Sequence, residues 1–256
     1  MTISIPKHAE KFGFVIDGYG AHSGRTIMLS DLRSLLDAAP PSAEIDEYEA
    51  LIRKENVLLK NTDAAKKESF QRLRRLYGLD PEILLFNILR QLWSQSTDAQ
   101  PMLALLYAIA RDPLLRSTVD LIVELPIDER ISASDFSETI SNEFPSELSQ
   151  NTLASIGRNI ASSYTQSGHI IGRSIKKRVR VESHVPSITY ALLLGHLCDE
   201  KGEGLFHTPW IRLLDTSTHE LHSKTQLASQ QGWLTYRQSG EIIEVSFSHL
   251  LEEVEL

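Results

Sequence analysis

Between residues 30 and 125, apolar side chains recur at intervals of three and four residues. The intervals are cut by start and stop signals that suit helices and little else. Ser30 is the expected N-cap of a run through Leu32, Leu35 and Leu36 that ends before Pro40-Pro41. A second helix is expected from about Ala43 to Glu55, with Ile45, Tyr48, Leu51 and Ile52 at helical spacing. Thr62 and Gly78 bracket a third, whose stripe is Ala65, Phe70, Leu73 and Leu76/Tyr77. Asp80-Pro81 and Asp112-Pro113 each combine an N-cap with a proline at the first helical position. The first opens a helix to about Trp93. The second follows a helix from about Pro101 to Ala110 and opens one ending before Pro126. This order predicts a compact bundle of about six helices with short connections.

Ahead of the bundle, Phe12–Ile16 and Ile27–Leu29 flank a glycine-rich turn and suggest a short hairpin or irregular arm. Beyond it, Pro126 to Arg130 reads as a linker. Helices are then expected at Ser134–Phe144 and about Ser149–Ser167, the second stopped by Gly168. Two short β-prone runs follow, holding Ile170, Ile171, Ile175, Val179 and Val181. Pro186 opens a helix through Tyr190, Leu193 and Leu197, and residues 218–231 form another, stopped by Gly232. Trp233–Arg237 and Ile242–Phe247, joined by a turn at Ser239-Gly240, predict a closing hairpin. The expected division is 1–125, a helical bundle with a short arm, and 126–256. The fold class is mainly α.

The chain has 256 residues, enough to bury a real core, and its 41% hydrophobic and 23% charged fractions are those of a globular protein. The apolar run Ile83–Leu89 is broken by Asn87 and Arg90, far short of the roughly 20 residues a membrane span needs. Lys7, His8, Glu10 and Lys11 fall where a secretory leader would be apolar. Cys198 is the only cysteine, so no internal disulfide framework or multi-cysteine zinc site is expected, and the cytoplasm is the natural location.

Net charge is −8, but its distribution matters more than its sum. Residues 149–183 hold six cations (Arg158, Arg173, Lys176, Lys177, Arg178, Arg180) against Glu182 alone. Residues 53–78 hold eight cations against three acids, whereas 120–147 hold eight acids against one arginine. The order of a helix, a turn, a second helix and a cationic hairpin at 134–183 is that of a winged helix-turn-helix. The second helix has an apolar face of Leu153, Ile156 and Ile160. Its other faces carry no acid: Ser149, Gln150, Asn151, Thr152, Ser155, Arg158, Asn159, Ser162, Ser163, Tyr164 and Gln166. Short neutral groups approach phosphates and base edges without repulsion. Arg173, Lys176, Lys177, Arg178 and Arg180 would add salt-dependent affinity for the backbone. The plainer reading is a solvated polar helix beside a charged hairpin. Lys66, Lys67, Arg72, Arg74 and Arg75 offer a secondary phosphate-facing surface, although they form no clean stripe and read first as a solvated face.

Other motifs carry less. The turn Gly18-Tyr19-Gly20-Ala21-His22-Ser23-Gly24 has neither dinucleotide-binding nor Walker spacing. His22 and Ser23 invite a hydrolase reading, but no nucleophile-elbow motif surrounds them. His219 and His222 share a helix face without an identifiable third ligand. No catalytic residue, metal or cofactor is expected.

Ser23–Val123 also carries a longer resemblance. A Ser23-Gly24 turn precedes "LSDLRSLLDA", then "ALIRKENVLLKNT", a basic helix with "RLRRLYGL", and "PMLALLYAIARDPLLRSTVDLIVE". The closing "GWLTYRQSGEIIEVSF" fits the same pattern. This order resembles the BrxA family of the bacterial BREX phage-defence systems, through short degenerate patterns over most of the chain. The resemblance implies a non-catalytic component with a NusB-like helical N-terminal region, a winged helix-turn-helix and binding to double-stranded DNA. It implies partners among other defence proteins, including a methyltransferase and an ATPase. The arm Met1–Gly20 and residues near 199–217 make the chain longer than the family pattern. The expected function is therefore a DNA-binding accessory protein of phage defence. A protein-interaction scaffold, with ten acids against four bases in 199–256, and a NusB-like RNA binder are the alternatives.

Overall fold

The computed structural model describes residues 3–18, 20–145, 148–173, 175–240 and 242–251; Met1, Thr2 and Tyr19 of the expected arm lie outside them. The described residues form a mainly helical protein with small antiparallel sheets. No described helix is long and apolar enough to cross a membrane.

Among its described residues the N-terminal arm is irregular and not a hairpin. It holds two 3-10 turns, Lys7–Phe12 and Ala21–Ser23, with Phe12, Phe14 and Ile27 buried. The arm's peptide groups find partners on the bundle. Val15 N donates to Ala110 O (3.1 Å), while Arg111 and Arg116 donate to the carbonyls of Gly13 (2.6 Å) and Ile16 (2.9 Å). With those groups satisfied, a second strand is not required.

The bundle comprises α1 (Leu29–Ala38), α2 (Ile45–Arg53), α3 (Asp63–Tyr77), α4 (Leu84–Trp93) and α5 (Gln100–Arg111). Thr62 caps α3 by accepting from Ala65 N (3.1 Å), and Gly78 ends it at φ +78°. Asp80 does not open a helix. Its Oδ1 accepts from Glu82 N (2.9 Å) and closes a turn, so α4 starts at Leu84. Asp112 does cap, accepting from Leu114 N (3.0 Å) and Leu115 N (3.3 Å), but the expected helix is split into α6 (Pro113–Arg116) and α7 (Val119–Glu124). Ser117 and Thr118 return their hydroxyls to the carbonyls of Leu114 (3.0 Å) and Leu115 (2.7 Å), competing with continuation of the helix.

Next come β1 (Arg130–Ile131), α8 (Ala133–Glu143), α9 (Gln150–Gln166), β2 (Ile170–Ile171) and β3 (Lys176–Arg178). The strand order is β1-β3-β2, all antiparallel, with Arg130 opposite Lys177 and Ile171 opposite Lys177 on the other side. Arg130, expected to end a linker, therefore begins a sheet strand. The chain continues through α10 (Val185–Leu197), α11 (Pro209–Arg212), α12 (Thr218–Gln230), the hairpin of β4 (Thr235–Ser239) with β5 (Ile242–Ser246), and α13 (Ser248–Leu251). α10 is apolar all round and packs on α4, α5, α11 and α12, with Tyr190 donating to Leu85 O (3.0 Å). One buried cluster runs from Ile3 to Leu250, so the two halves of the chain share a core.

Candidate nucleic-acid interface

α8 and α9 are locked together by small side chains. A methyl group added at Gly157 would overlap the Ala133 carbonyl and Ser137 Oγ. Ser137 Oγ lies 2.9 Å from Ala133 O and 3.0 Å from Leu153 O. Leu153, Ile156 and Ile160 are buried, as their spacing predicts, and Ser149 caps α9 by accepting from Thr152 N (3.3 Å).

The acid-free faces of α9 divide into two parts. Toward the N-terminus, Ser149, Gln150, Asn151 and Arg158 are exposed and Thr152 and Ser155 are half-buried. Toward the C-terminus three polar groups are spent on the N-terminal arm and the start of α1. Asn159 Nδ2 donates to His22 O (3.0 Å), Ser163 Oγ accepts from Ile27 N (3.0 Å), and Gln166 Oε1 accepts from Leu29 N (2.9 Å). Of the predicted α9 contacts, Asn159 is thus committed to holding the arm. Gln150 and Arg158 border a groove of about 620 Å³ between α8 and α9, and Glu138 of α8 lines the same groove.

The cations of the hairpin also divide. Arg173, Lys177 and Arg180 are exposed; Lys176 is half-buried, with Nζ donating to Thr165 Oγ1 (3.0 Å). Arg178 is a correction: it is 1% exposed. Opposite buried Ile170 in register, it points inward, where it donates to Ile122 O (3.1 Å), to Val179 O and to Asp215 Oδ1 (2.6 Å). Asp215 Oδ2 in turn accepts from Val181 N (3.0 Å). Arg178 is a structural cation and cannot reach phosphate. Arg130 of β1, which the sequence places in a linker, supplies a cation on the outer face instead.

On α3, Lys67, Arg74 and Arg75 are exposed, while Lys66 pairs with Asp63 (3.3 Å) and Arg72 with Glu68 (2.6 Å). The Arg72 hydrogen bond and charge, with Arg25 behind it, hold the Glu68 carboxyl below its ordinary range. Arg72 lies over Gly24, where a Cβ would meet its guanidinium. It borders a cleft of about 340 Å³ with Arg25, Lys60, Asn159 and Gln166. That cleft brings the middle of the basic helix to the docked half of α9; Lys66 instead borders a separate cavity with Asp46, Glu49 and Arg53.

No sequence motif marks the buried line at the centre of this junction. His22 Nδ1 lies 2.8 Å from Asp112 Oδ2, and its Nε2 lies 2.8 Å from Ser163 Oγ. The order is that of a hydrolase relay, but Ser163 has no path to a substrate. All three side chains are buried, and Ser163 Oγ is also within 2.9 Å of Asn159 O while accepting from Ile27 N. Burial raises the Asp112 pKa, but the His22 ring and the N–H groups of His22 and Leu115 outweigh it and leave the carboxyl below its usual range. The line fastens arm, bundle and α9 together. Ser23, the other half of the hydrolase reading, donates to Gly20 O (2.9 Å) and takes no part.

Elsewhere the chemistry is committed to structure. His222 stacks on Phe206 (centroids 4.6 Å apart) and shares a hydrogen bond with Tyr236 Oη (2.8 Å), while His219 is exposed. Burial, with Asp199 beside it, pushes the Cys198 thiol up to about 12, away from the thiolate a nucleophile needs. Among the described residues no three His, Cys, Asp or Glu side chains gather as a metal site would require. Compared with known families and curated proteins, the chain matches no family model and no curated protein.

Proposed function

We propose that residues 130–178 are a winged helix that binds duplex DNA, with the N-terminal part of α9 in the major groove and the β2–β3 hairpin as the wing. The observation that carries this reading is topological. A strand, two helices and two strands, closed in the order β1-β3-β2, is the arrangement in which the second helix and the hairpin face the same duplex. Its chemistry agrees: Gln150, Asn151 and Arg158 supply groups that reach base edges and phosphates, and Arg130, Arg173, Lys177 and Arg180 supply backbone affinity. Glu138, which lines the α8–α9 groove together with Arg158, opposes phosphate there and favours contact on the exposed side of α9.

The biological setting proposed is that of a non-catalytic accessory protein in a BREX-type defence system, with a methyltransferase and an ATPase as companions. It rests on the sequence resemblance, as does the comparison of the N-terminal bundle with NusB. Affinity capture followed by identification of a DNA methyltransferase and a large ATPase supports that setting; capture of neither removes it. For the molecular function, duplex DNA, single strands and RNA are compared as competitors of a labelled duplex. Duplex DNA is expected to compete best, whereas preferential competition by RNA would replace the winged-helix reading with an RNA-binding one.

A further inference from the structure

The wing carries an apolar pair that its own fold does not use. Ile171 is 54% exposed and Ile175 57% exposed, although Ile170 beside them is buried. Register explains the pattern. Ile170 opposite Arg178 faces inward, which puts Ile171 and Lys177, also opposite one another, on the outer face. Arg130 joins them from β1. Arg173 and Ile175 lie at the bends that lead out of β2 and into β3, and both are exposed. Gly172, at φ +103°, lies so close to the Ile175 carbonyl that a Cβ there would overlap it. The outer face of the sheet thus carries Ile171 with Lys177 and Arg130, and exposed Arg173 and Ile175 adjoin it in sequence at the open ends of β2 and β3. Among the described residues, none of those cations has a carboxylate in an ion pair.

An apolar pair of this kind on an edge hairpin is exposed at a cost unless something covers it. The charge pattern selects the occupant. Two rows of phosphates flank the minor groove, about 6 Å apart, and the side chains inserted into such grooves are branched or aromatic apolar wedges beside arginine or lysine. We propose that Ile171 and Ile175 enter the minor groove of duplex DNA, with Arg130, Arg173 and Lys177 on the flanking phosphates. This rests on the duplex-binding reading above and adds to it a base preference. Guanine places an amino group on the minor-groove floor, and an isoleucine would leave that donor unpaired. A·T pairs present no such group. The wing thus disfavours G·C where it inserts.

Inosine separates this from major-groove reading, because it removes the minor-groove amino group and leaves the major-groove edge of guanine unchanged. Wild-type protein is expected to bind a fully inosine-substituted duplex about tenfold more tightly than its guanine parent, the scale of one or two buried polar mismatches. The double variant Ile171→Ser, Ile175→Ser keeps every charge. It should lose that discrimination and about tenfold in affinity while keeping the slope of affinity against salt. Its thermal midpoint should be unchanged, since both side chains are exposed. Equal binding of the two duplexes by wild type, or retained discrimination in the double variant, overturns the minor-groove placement alone. Absence of duplex binding by wild type at any salt overturns the DNA reading together with it. Binding to anionic phospholipid vesicles that the double variant loses, with duplex binding intact, reassigns the face to a lipid surface and overturns the proposal.

Discussion

His22 Nε2 lies 2.8 Å from Ser163 Oγ, so a residue of the N-terminal arm is held by the helix proposed to read DNA. The opposite ring nitrogen is held by Asp112, whose other oxygen caps α6. Gly20 leaves room for that carboxylate; a Cβ there would overlap it. Arm, bundle and α9 are therefore one rigid unit at this point; α9 is tied to the arm by its C-terminal half, while its N-terminal half packs on α8 and leaves Gln150 and Asn151 exposed.

Removing the imidazole takes one hydrogen-bond partner from a buried carboxylate and one from Ser163 Oγ. His22→Ala is expected to lower stability by about 3 kcal/mol, the scale for a buried charged acceptor that loses a donor. Ser163→Ala removes a hydroxyl that serves three partners and should cost about 1–3 kcal/mol. Urea unfolding followed by circular dichroism checks both. A loss below about 1 kcal/mol for His22→Ala would show that the line does not fasten the arm.

Buried His169 makes stability depend on pH. Burial pushes its pKa down to about 4; the Leu213 carbonyl raises it and the Arg178 charge lowers it. Ring nitrogens 2.9 Å from Ser167 Oγ and 2.9 Å from Leu213 O suit a neutral ring. An unfolded histidine takes up its proton near pH 6.5, so the unfolded state binds more protons between about 6.5 and 4. The stability contributed by the depressed pKa is thus complete above pH 6.5 and is lost as pH falls toward 4. Urea midpoints of wild type should fall across that window, and the fall should be shallower in His169→Gln. Equal slopes in the two proteins would assign the loss to other groups.

The helix pair depends on close approach. Gly157→Ala places a methyl group against the Ala133 carbonyl and Ser137. Separating α8 from α9 is expected to cost about 1–3 kcal/mol, the usual scale of overpacking. Thermal unfolding checks this, and an unchanged midpoint would mean that the two helices leave room for a methyl group between them.

Arg178 and Lys177 are neighbours in sequence with opposite duties. Arg178→Ala removes the ion-pair partner of Asp215 and two further hydrogen bonds, so it should lower the unfolding midpoint. Lys177→Glu should leave that midpoint in place and weaken duplex binding. Paired melting and binding curves separate the two, and reversal of the pattern would place Arg178 on the outer face.

The helices of the bundle were legible because their signals are local: Thr62 and Gly78 bracket α3, and Ser149 caps α9. The two strands of the wing were legible from Ile170-Ile171 and the β-branched residues after them. β1 was not, since a two-residue strand has no periodicity and exists only through pairing with β3. The run Lys176-Lys177-Arg178 carries a cation at both phases of a strand, so sequence alone could not say which faced inward. The line from Asp112 through His22 to Ser163 joins residues 90 and 141 positions apart, and no local spacing announces it. The acid-free surface of α9 had two causes, an exposed end and a docked end, that look alike in sequence.

The most direct test of the winged-helix reading is the salt dependence of duplex binding, measured by fluorescence anisotropy on wild type and on the double variant Arg158→Glu, Lys177→Glu. Wild-type log affinity should fall linearly with log salt. The variant should bind more weakly, with a slope shallower by about 0.9 for each phosphate it no longer neutralises. Arg74→Glu on α3, by comparison, should have a smaller effect. No duplex binding by wild type, or equal affinity and slope in the double variant, would contradict a duplex interface built from α9 and the wing.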